Sequence, residues 1–201
     1  MHERRWYASR RHSAELMPAI DELLDVNGVA KDELTLIVAT IGPGGYTGLR
    51  VGVSVAKTLA YALGIGAVGV NRLFADAAGW LNGRRSVCAV HRAGRKDLAV
   101  AVYGGTTQNP EELLAARLIP IDGLASLLPA AALVSGEIED EQLVQLRAEG
   151  HEAWGGIGGQ RRPLLVAKLG LRTVADGATT EPQALLPVYL RSPVQEPGSE
   201  A

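Results

Sequence analysis

A glycine-rich segment is the feature of this sequence whose residue types and spacing could do chemistry. It follows an apolar, β-branched run, precedes a helical pattern, and consists of Gly42, Pro43, Gly44, Gly45, Tyr46, Thr47 and Gly48. Glycines let backbone N–H groups converge, and a helix N-terminus adds the positive end of its dipole. The segment lacks the Gly-Lys-Ser/Thr of a P-loop and the spacing of a dinucleotide fingerprint. The chemistry of this glycine loop thus allows a phosphate contact without requiring one.

The other reactive side chains form no catalytic or metal-binding pattern in the sequence. No compact ligand spacing joins any two of the four histidines, which are His2, His12, His91 and His151. Ser54 lies in a Gly-x-Ser-x-Ala segment, but this segment falls inside a predicted helix instead of at the strand-to-helix turn of a nucleophile elbow. Cys88 lies in an apolar, strand-like run and is expected to be a small buried side chain. We therefore predict no metal site and no catalytic residue.

Composition indicates a globular chain. It has 201 residues, of which 47% are hydrophobic and 21% charged, and its formal net charge is −2. That charge does not favour a direct RNA binder, although four arginines at positions 4, 5, 10 and 11 form a local basic segment. No apolar run approaches the roughly 18 residues of a membrane helix, and the start lacks the apolar core of a signal peptide. We therefore predict a cytoplasmic protein without a membrane segment.

Periodicity predicts the elements on either side of the glycine loop. Residues 13–25 have apolar side chains at i, i+4, i+7 and i+8, which indicates an amphipathic helix. Residues 34–41 are apolar and β-branched without polar alternation, so we expect a strand that is covered on both faces inside a sheet. A helix over residues 49–63 follows, and on it Gly52, Ala56, Ala60 and Gly64 form a row of small residues. This row could admit a partner helix at close range, or it could cover the chain's own sheet.

Beyond residue 64, strands continue to alternate with helices. We predict strands at 67–70, 87–90, 98–103, 117–119 and 132–134, and helices at 72–81, 123–128, 139–148 and 163–169. Asn71 is a suitable N-cap, and the glycine cluster 155–159 is predicted to be a loop. The alternation indicates an α/β fold. We divide it into an N-terminal lobe at 1–70, a second lobe at 71–191 and a flexible tail at 192–201.

The amino-acid sequences of four segments resemble those of a known family. Residues 42–53 read GPGGYTGLRVGV and closely resemble the GPGSFTGLRIG signature of the TsaB family, also called YeaZ. Residues 12–24 resemble that family's HSERLLPLIDELL helix, residues 69–73 its GVSSL segment, and residues 187–191 its P-x-YLR tail. The resemblance is strong over residues 12–82 and recognisable again at 187–191.

This resemblance implies an actin-like fold, as in sugar kinases and Hsp70-like ATPases, and a non-catalytic role. It implies a scaffold that pairs with a TsaD-like enzyme in threonylcarbamoyl transfer to adenosine 37 of tRNAs reading ANN codons. A TsaE-like ATPase would join through the heterodimer, tRNA would be bound only indirectly, and the chain alone would form a homodimer. No tightly bound cofactor is implied, although ATP or ADP could make weak contact in the complex. The implied partner interface comprises His12, Leu16, Ile20, Arg50, Gly52, Val53, Ala56, Lys57 and Ala60.

The sequence also departs from the family pattern. Gly45 and Tyr46 stand where the signature has serine and phenylalanine, and residues 90–95 read VHRAGR in place of D-A-R-R-G-E. Family chains open with two strands and an Asp-Thr-Ser loop that this sequence lacks, so we expect the first two strands to be missing and the third to lie at about 4–9. Either the start codon was assigned too late or the protein is truncated.

Two enzyme alternatives remain within the same fold. One is a nucleotide-binding ATPase, although the acidic residue of the first phosphate loop is missing together with that loop. The other is an M22-type peptidase-like enzyme, although the pair of histidines four residues apart that TsaD-type proteins use for metal is not found in the sequence.

Overall fold

The computed structural model describes residues 2–6, 12–155, 162–178 and 180–191. Its six α-helices within this part are α1 (His12–Val26), α2 (Tyr46–Leu63), α3 (Arg72–Ala78), α4 (Leu124–Leu127), α5 (Asp140–Ala148) and α6 (Pro163–Ala175). The strands are β1 (Leu36–Gly42), β2 (Gly66–Asn71), β3 (Val87–Arg92), β4 (Asp97–Gly105), β5 (Pro110–Pro120), β6 (Leu133–Gly136) and β7 (Glu152–Gly155). The predicted alternation of strands and helices, and with it the α/β class, is confirmed.

The strands form two sheets. β1 and β2 pair in parallel as a two-stranded sheet, with α2 as the crossover between them. The other sheet has the strand order β5-β4-β3-β6-β7. In this larger sheet β3, β4 and β5 are antiparallel neighbours, whereas β6 pairs in parallel with β3, and β7 with β6.

Helices cover both faces of both sheets. On the five-stranded sheet, α4 and α5 pack over one face, and Leu73 and Ala77 of α3 pack over the other. On the two-stranded sheet, α2 covers one face, and α6 together with Ala75 and Ala78 of α3 covers the other. α3 therefore lies between the sheets and contributes to two cores. Its start is fixed by the predicted N-cap, because the Asn71 side chain accepts a hydrogen bond from the Phe74 N–H.

The environment of β1 agrees with the prediction in part: helices cover both of its faces, but one edge is open among the described residues. An interior strand was expected, but among the described residues β1 pairs only with β2, and six of its seven residues are half-buried or exposed. The apolar run gave the strand correctly, but how many neighbours a strand has depends on the rest of the chain. The third strand expected at 4–9 is also wrong where it can be compared, since residues 4–6 are not in a strand and residues 7–9 lie outside the described residues.

Several boundaries are corrected in the second half. β5 runs from Pro110 to Pro120, far longer than the predicted 117–119, and α6 continues to Ala175. β7 was not predicted, and it takes Gly155 out of the expected glycine loop. Residues 156–161 and the predicted tail 192–201 lie outside the described residues. The lobe boundary stays a prediction, and α6, from the range given to the second lobe, packs against β1, β2 and α3. No described helix has the length and apolar character to span a membrane.

Candidate functional site

The glycine loop begins where β1 ends and is fastened to the C-terminal segment. Gly42 has φ +105°, and a Cβ there would lie 2.6 Å from the Val188 carbonyl oxygen, so only glycine fits. The Val188 N–H donates to the Ile41 carbonyl oxygen over 2.7 Å. The Gly42–Pro43 peptide is cis. These contacts hold the end of β1 against residues that come nearly at the end of the described chain.

The second half of the predicted loop is the first turn of α2. This helix begins at Tyr46, so Tyr46, Thr47 and Gly48 are helical, and Gly45 is the N-cap. The first helical hydrogen bond runs from the Leu49 N–H to the Gly45 carbonyl oxygen at 2.9 Å. A glycine N-cap has no side chain with which to satisfy the N–H groups of the first turn. The loop thus places free amide donors at the positive end of an 18-residue helix.

Two tyrosines form a wall beside this helix start. The rings of Tyr46 and Tyr189 are 5.2 Å apart between centroids, at an interplanar angle of 36°. The Arg50 guanidinium lies 5.1 Å from the centroid of the Tyr46 ring and donates to its hydroxyl over 2.8 Å. The aromatic residue of the loop is therefore held by both the C-terminal segment and the next turn of α2.

A cavity of about 500 Å³ opens between the glycine loop, the end of β3 and the C-terminal segment. Its walls are residues 43–46, 91–94 and 188–191, together with Ala99 and Leu118 of the five-stranded sheet. The volume is within the range of small-molecule sites. Most of the lining is apolar, and the polar groups are the loop amides, His91, Arg92 and Arg191.

A buried charge network lies behind this cavity. The Glu137 carboxylate contacts both Arg72 and His91: Oε1 accepts from Arg72 Nη2 over 2.8 Å, and Oε2 lies 2.7 Å from His91 Nδ1. Burial alone would raise the pKa of Glu137, but the His91 contact and the Arg72 charge outweigh it and lower the pKa to about 2. Asp76, 3.5 Å from Arg72 Nε, instead has its pKa raised by burial, against the opposing charge of Arg72. Glu137 is therefore ionised at neutral pH and keeps the His91 ring in one orientation.

The sequence did not predict this network. Residues 90–95 were singled out only because they depart from the family pattern, and His91 is one of the departing residues. No local spacing links His91 to Glu137 or Arg72, because the three side chains meet only when β3, β6 and α3 are assembled.

The predicted partner-interface residues lie at very different depths. His12 is the first residue of α1, and Leu16 and Ile20 are half-buried along it. Val53, Ala56 and Ala60 are buried in the core between α2 and the two-stranded sheet, with Ala60 at 0% exposure. Arg50 is exposed, whereas Gly52 and Lys57 are half-buried, and Lys57 Nζ donates to the Gln183 carbonyl oxygen over 3.2 Å.

The small-residue row is thus divided between the core and the surface. Ala56 and Ala60 pack on the chain's own sheet, which was the alternative left open by the sequence. Gly52 differs, since a Cβ built on it meets no described atom within 4 Å. Gly64, the C-cap of α2, is open in the same way, so Gly52 is the open member of the row inside the helix. The role of these residues in an interface stays a prediction.

Ser54 and Cys88, the other two reactive side chains considered in the sequence, lie where they were predicted. Ser54 is an exposed residue within α2, as predicted. Cys88 is fully buried, as predicted, and burial raises its pKa to about 12. Within the described ranges, no group of three or more His, Cys, Asp or Glu side chains could hold a metal ion.

Comparison with known proteins gives a consistent family. The model of the family TsaD, described as tRNA N6-adenosine threonylcarbamoyltransferase, matches residues 6–145. The chain is 26% identical to the tRNA threonylcarbamoyladenosine biosynthesis protein TsaB of Escherichia coli (strain K12) over 214 residues, which cover 95% of this chain and 87% of that protein.

Higher identities extend over shorter segments. TsaB of Bacillus subtilis (strain 168) is 45% identical over 78 residues, which cover 39% of this chain and 33% of that protein. The tRNA N6-adenosine threonylcarbamoyltransferase of Anaeromyxobacter dehalogenans (strain 2CP-1 / ATCC BAA-258) is 46% identical over 76 residues, which cover 35% of this chain and 23% of that enzyme. The match thus spans about a third of the first relative and about a quarter of the second.

Solved structures agree on the fold. A crystal structure from Pseudomonas aeruginosa, described as an uncharacterized protein with similarity to peptidase YEAZ, superposes with a TM-score of 0.74 at 24% identity and covers 95% of this chain and 92% of that chain. A second structure, YeaZ from Pseudomonas aeruginosa, has a TM-score of 0.71. The predicted actin-like α/β fold and the resemblance to TsaB (YeaZ) are confirmed, and the chain belongs to the TsaD family.

Proposed function

We propose that this chain is a non-catalytic partner subunit in tRNA threonylcarbamoyladenosine biosynthesis. It would pair with a TsaD-like enzyme that transfers the threonylcarbamoyl group to adenosine 37 of tRNAs reading ANN codons. The observation that carries the proposal is the match to E. coli TsaB, which covers 95% of this chain. A TsaE-like ATPase would join through the heterodimer, and a homodimer would form when the partner is lacking.

The α1–α2 surface supports this proposal. α1 packs against α2, and within its described side chains only Ala19 is buried, whereas Leu16, Ile20, Leu23 and Leu24 are half-buried. On α2, the open side of Gly52 adjoins the exposed Gly48, one turn earlier. A half-covered apolar helix pair with glycines on its open side is a surface onto which a partner helix can pack closely.

The sharpest test replaces Gly52 by Trp. We expect the variant to fold with an unchanged melting temperature, because the new side chain points into open space, and to lose binding to the TsaD-like subunit by steric overlap. Sedimentation of the two subunits measures the binding. Ser54→Trp is the matched control, since Ser54 is exposed on the same helix about 200° around the axis. A folded Gly52→Trp variant that binds normally would remove this face from the interface.

Ala60→Trp separates the core from the interface. Ala60 has no exposed surface and packs on the two-stranded sheet, so we expect this variant to unfold and therefore to give no information on binding.

The non-catalytic role is tested by a transfer assay. We expect threonylcarbamoyl transfer by the TsaD-like enzyme to increase when this chain is added, and no transfer by this chain alone. Robust transfer by this chain alone would refute the proposal.

A further inference from the structure

Trp80 and Trp154 form an aromatic platform at one edge of the five-stranded sheet. Trp80 follows α3 and is half-buried, whereas Trp154 lies on the edge strand β7 and is 49% exposed. Their rings stack, with 5.9 Å between the centroids and an interplanar angle of 20°. Trp80 therefore covers one side of the Trp154 ring, and the other side is open to a ligand that can stack on it.

Neighbouring side chains hold both rings of the aromatic platform in place. The Trp154 Nε1–H donates to Glu152 Oε1 over 2.6 Å, and Arg85 forms an ion pair with the other oxygen of this carboxylate. The Arg162 guanidinium lies 4.9 Å from the centroid of the Trp80 ring. A ring that is already fixed loses little conformational entropy when a ligand stacks on it. The aromatic platform is therefore preorganised to receive a planar group.

The charged side chains around the aromatic platform are mainly cationic. They are three arginines, at positions 84, 85 and 162, against one glutamate, Glu152. Arg84 precedes Arg85 in the chain, is exposed, and forms no ion pair within the described ranges, so its charge is available to a partner. The whole chain has a net charge of −2, so this positive excess is local. A partner that offers both a planar ring and a negative charge is complementary to this surface.

We propose that the aromatic platform binds single-stranded nucleic acid, with a base stacked on Trp154 and a backbone phosphate paired with Arg84. Every nucleotide of such a strand carries both groups, whereas an acidic peptide supplies the charge without a regular supply of rings. The strand must be unpaired, because the bases of a duplex are stacked on one another. This inference goes beyond the proposed partner role and does not depend on it, since neither α1 nor α2 contributes to the aromatic platform.

Fluorescence anisotropy of a labelled oligoriboadenylate of about eight nucleotides, titrated with the full chain at low salt, tests the stacking contact. We expect saturable binding, and binding at least tenfold weaker for an RNA duplex of the same length. Trp154→Ala should weaken binding of the single strand about tenfold, whereas Trp154→Phe, which keeps a ring, should retain most of the affinity. Trp6→Ala is the matched control and should change nothing, since Trp6 is 43% exposed but lies outside the aromatic platform.

Arg84→Gln tests the phosphate contact while leaving both rings in place. We expect binding about threefold weaker at low salt, and a plot of log Kd against log salt concentration whose slope is smaller by about 0.7. Arg117→Gln is the control, because Arg117 is an exposed arginine on β5, at the opposite edge of the five-stranded sheet. Melting temperatures show whether each variant is folded. If Trp154→Ala does not fold, Arg84→Gln decides the outcome.

Two further probes identify the partner. An oligodeoxyadenylate of the same length distinguishes the strands: tighter binding of the RNA strand supports an added contact with the 2′-hydroxyl, and otherwise base and phosphate suffice. An acidic peptide with a central phenylalanine, bound where the oligoriboadenylate is not, would assign the aromatic platform to a protein partner and overturn the proposal. Lack of saturable oligonucleotide binding would also overturn it, as would binding that Arg84→Gln and every folded Trp154 variant leave unchanged. None of these results affects the proposed partner role, which is measured by subunit binding and transfer.

Discussion

The two sheets of this protein are built from similar strands but are covered to different degrees. β3 and β4 are buried along almost their whole length: five of the six residues of β3 and seven of the nine residues of β4 are buried. β1 is equally apolar, yet only Gly42 is buried on it. Both sheets have helices on both faces, so the difference lies at the strand edges. β3 and β4 each have two neighbouring strands, and β1 has one among the described residues.

This comparison shows that strand composition does not determine burial. A continuous apolar run predicts a strand whose two faces are covered, and α2 and α6 do cover the faces of β1. The open edge nevertheless exposes backbone and the margins of the side chains. We therefore expect substitutions to be most costly in the five-stranded sheet and less costly in the two-stranded sheet.

Gly136→Ala should have the largest effect, because Gly136 lies against β3, the central strand of the five-stranded sheet. Gly136 ends β6 with φ +135°, and a Cβ there would lie within 1.9 Å of the Val90 carbonyl oxygen on the neighbouring strand. Backbone must move, so we expect a loss of about 4 kcal/mol or more in the free energy of unfolding, measured by urea denaturation.

Gly28→Ala is the control for the backbone angle alone. Gly28 has φ +63°, but a Cβ there meets no described atom within 4 Å. We therefore expect Gly28→Ala to lower the free energy of unfolding by only about 1 kcal/mol. Equal losses for Gly136→Ala and Gly28→Ala would contradict the tight contact between β6 and β3.

Gly170→Ala tests the covering of the two-stranded sheet. Gly170 lies on α6, and a Cβ there would lie 2.4 Å from Val38 Cγ1 on β1. Overpacking costs roughly 1–3 kcal/mol, and better helix propensity returns about 1 kcal/mol, so a net loss of about 0–2 kcal/mol is expected. Val38→Ala removes the obstructing methyl groups. A double-mutant cycle should therefore show that the alanine at 170 costs much less in the Val38→Ala background. Additive losses would contradict this contact.

The pH dependence contributed by Glu137 tests the ion pair that joins the two sheets. Arg72 follows β2 directly and Glu137 follows β6, so their ion pair connects the sheets. The folded pKa of Glu137 is about 2, against an ordinary value of 4.5. A lowered pKa means that the stabilisation is fully present above 4.5 and is lost as pH falls towards about 2. Glu137→Gln should flatten this part of the stability profile.

Glu152→Gln is the control for that measurement. The pKa of Glu152 is also lowered, by its contacts with Trp154 and Arg85, but the carboxylate lies at the surface, where solvent and salt screen its charge. We measure the free energy of unfolding by urea denaturation at several pH values. We expect Glu152→Gln to change its dependence on acid pH less than Glu137→Gln does. A larger change would assign the acid sensitivity to the surface pair.

The sequence predicted those parts of the fold that depend on local pattern. α1, β1, β3 and the N-cap of α3 follow from periodicity and capping chemistry, whereas α2 begins three residues earlier than predicted. That error has a local cause, since Tyr46, Thr47 and Gly48 are weak helix formers that nevertheless form the first turn. β5 was mostly missed because its first residues, including Glu111 and Glu112, are exposed at a sheet edge and lack an apolar signal.

The candidate site was predicted only in part. The glycine loop was recognised from its residues, but the wall formed by Tyr189 and the network of His91, Glu137 and Arg72 were not. Each of these contacts joins segments that are distant in the sequence, so no window of neighbouring residues contains the information. The burial of Ala60 could not be read from its spacing either, because a row of small residues suits a partner and a sheet equally well.

The attachment of Val188 to Ile41 has a consequence for biosynthesis. During translation, the segment that forms β1 and the glycine loop leaves the ribosome long before residues 188–191 are made. The five-stranded sheet can form in the nascent chain as soon as β7 has emerged, but the third wall of the cavity cannot. The cavity is therefore completed only after residues 188–191 have been made, and a nascent chain that stops before residue 188 lacks the third wall of the cavity.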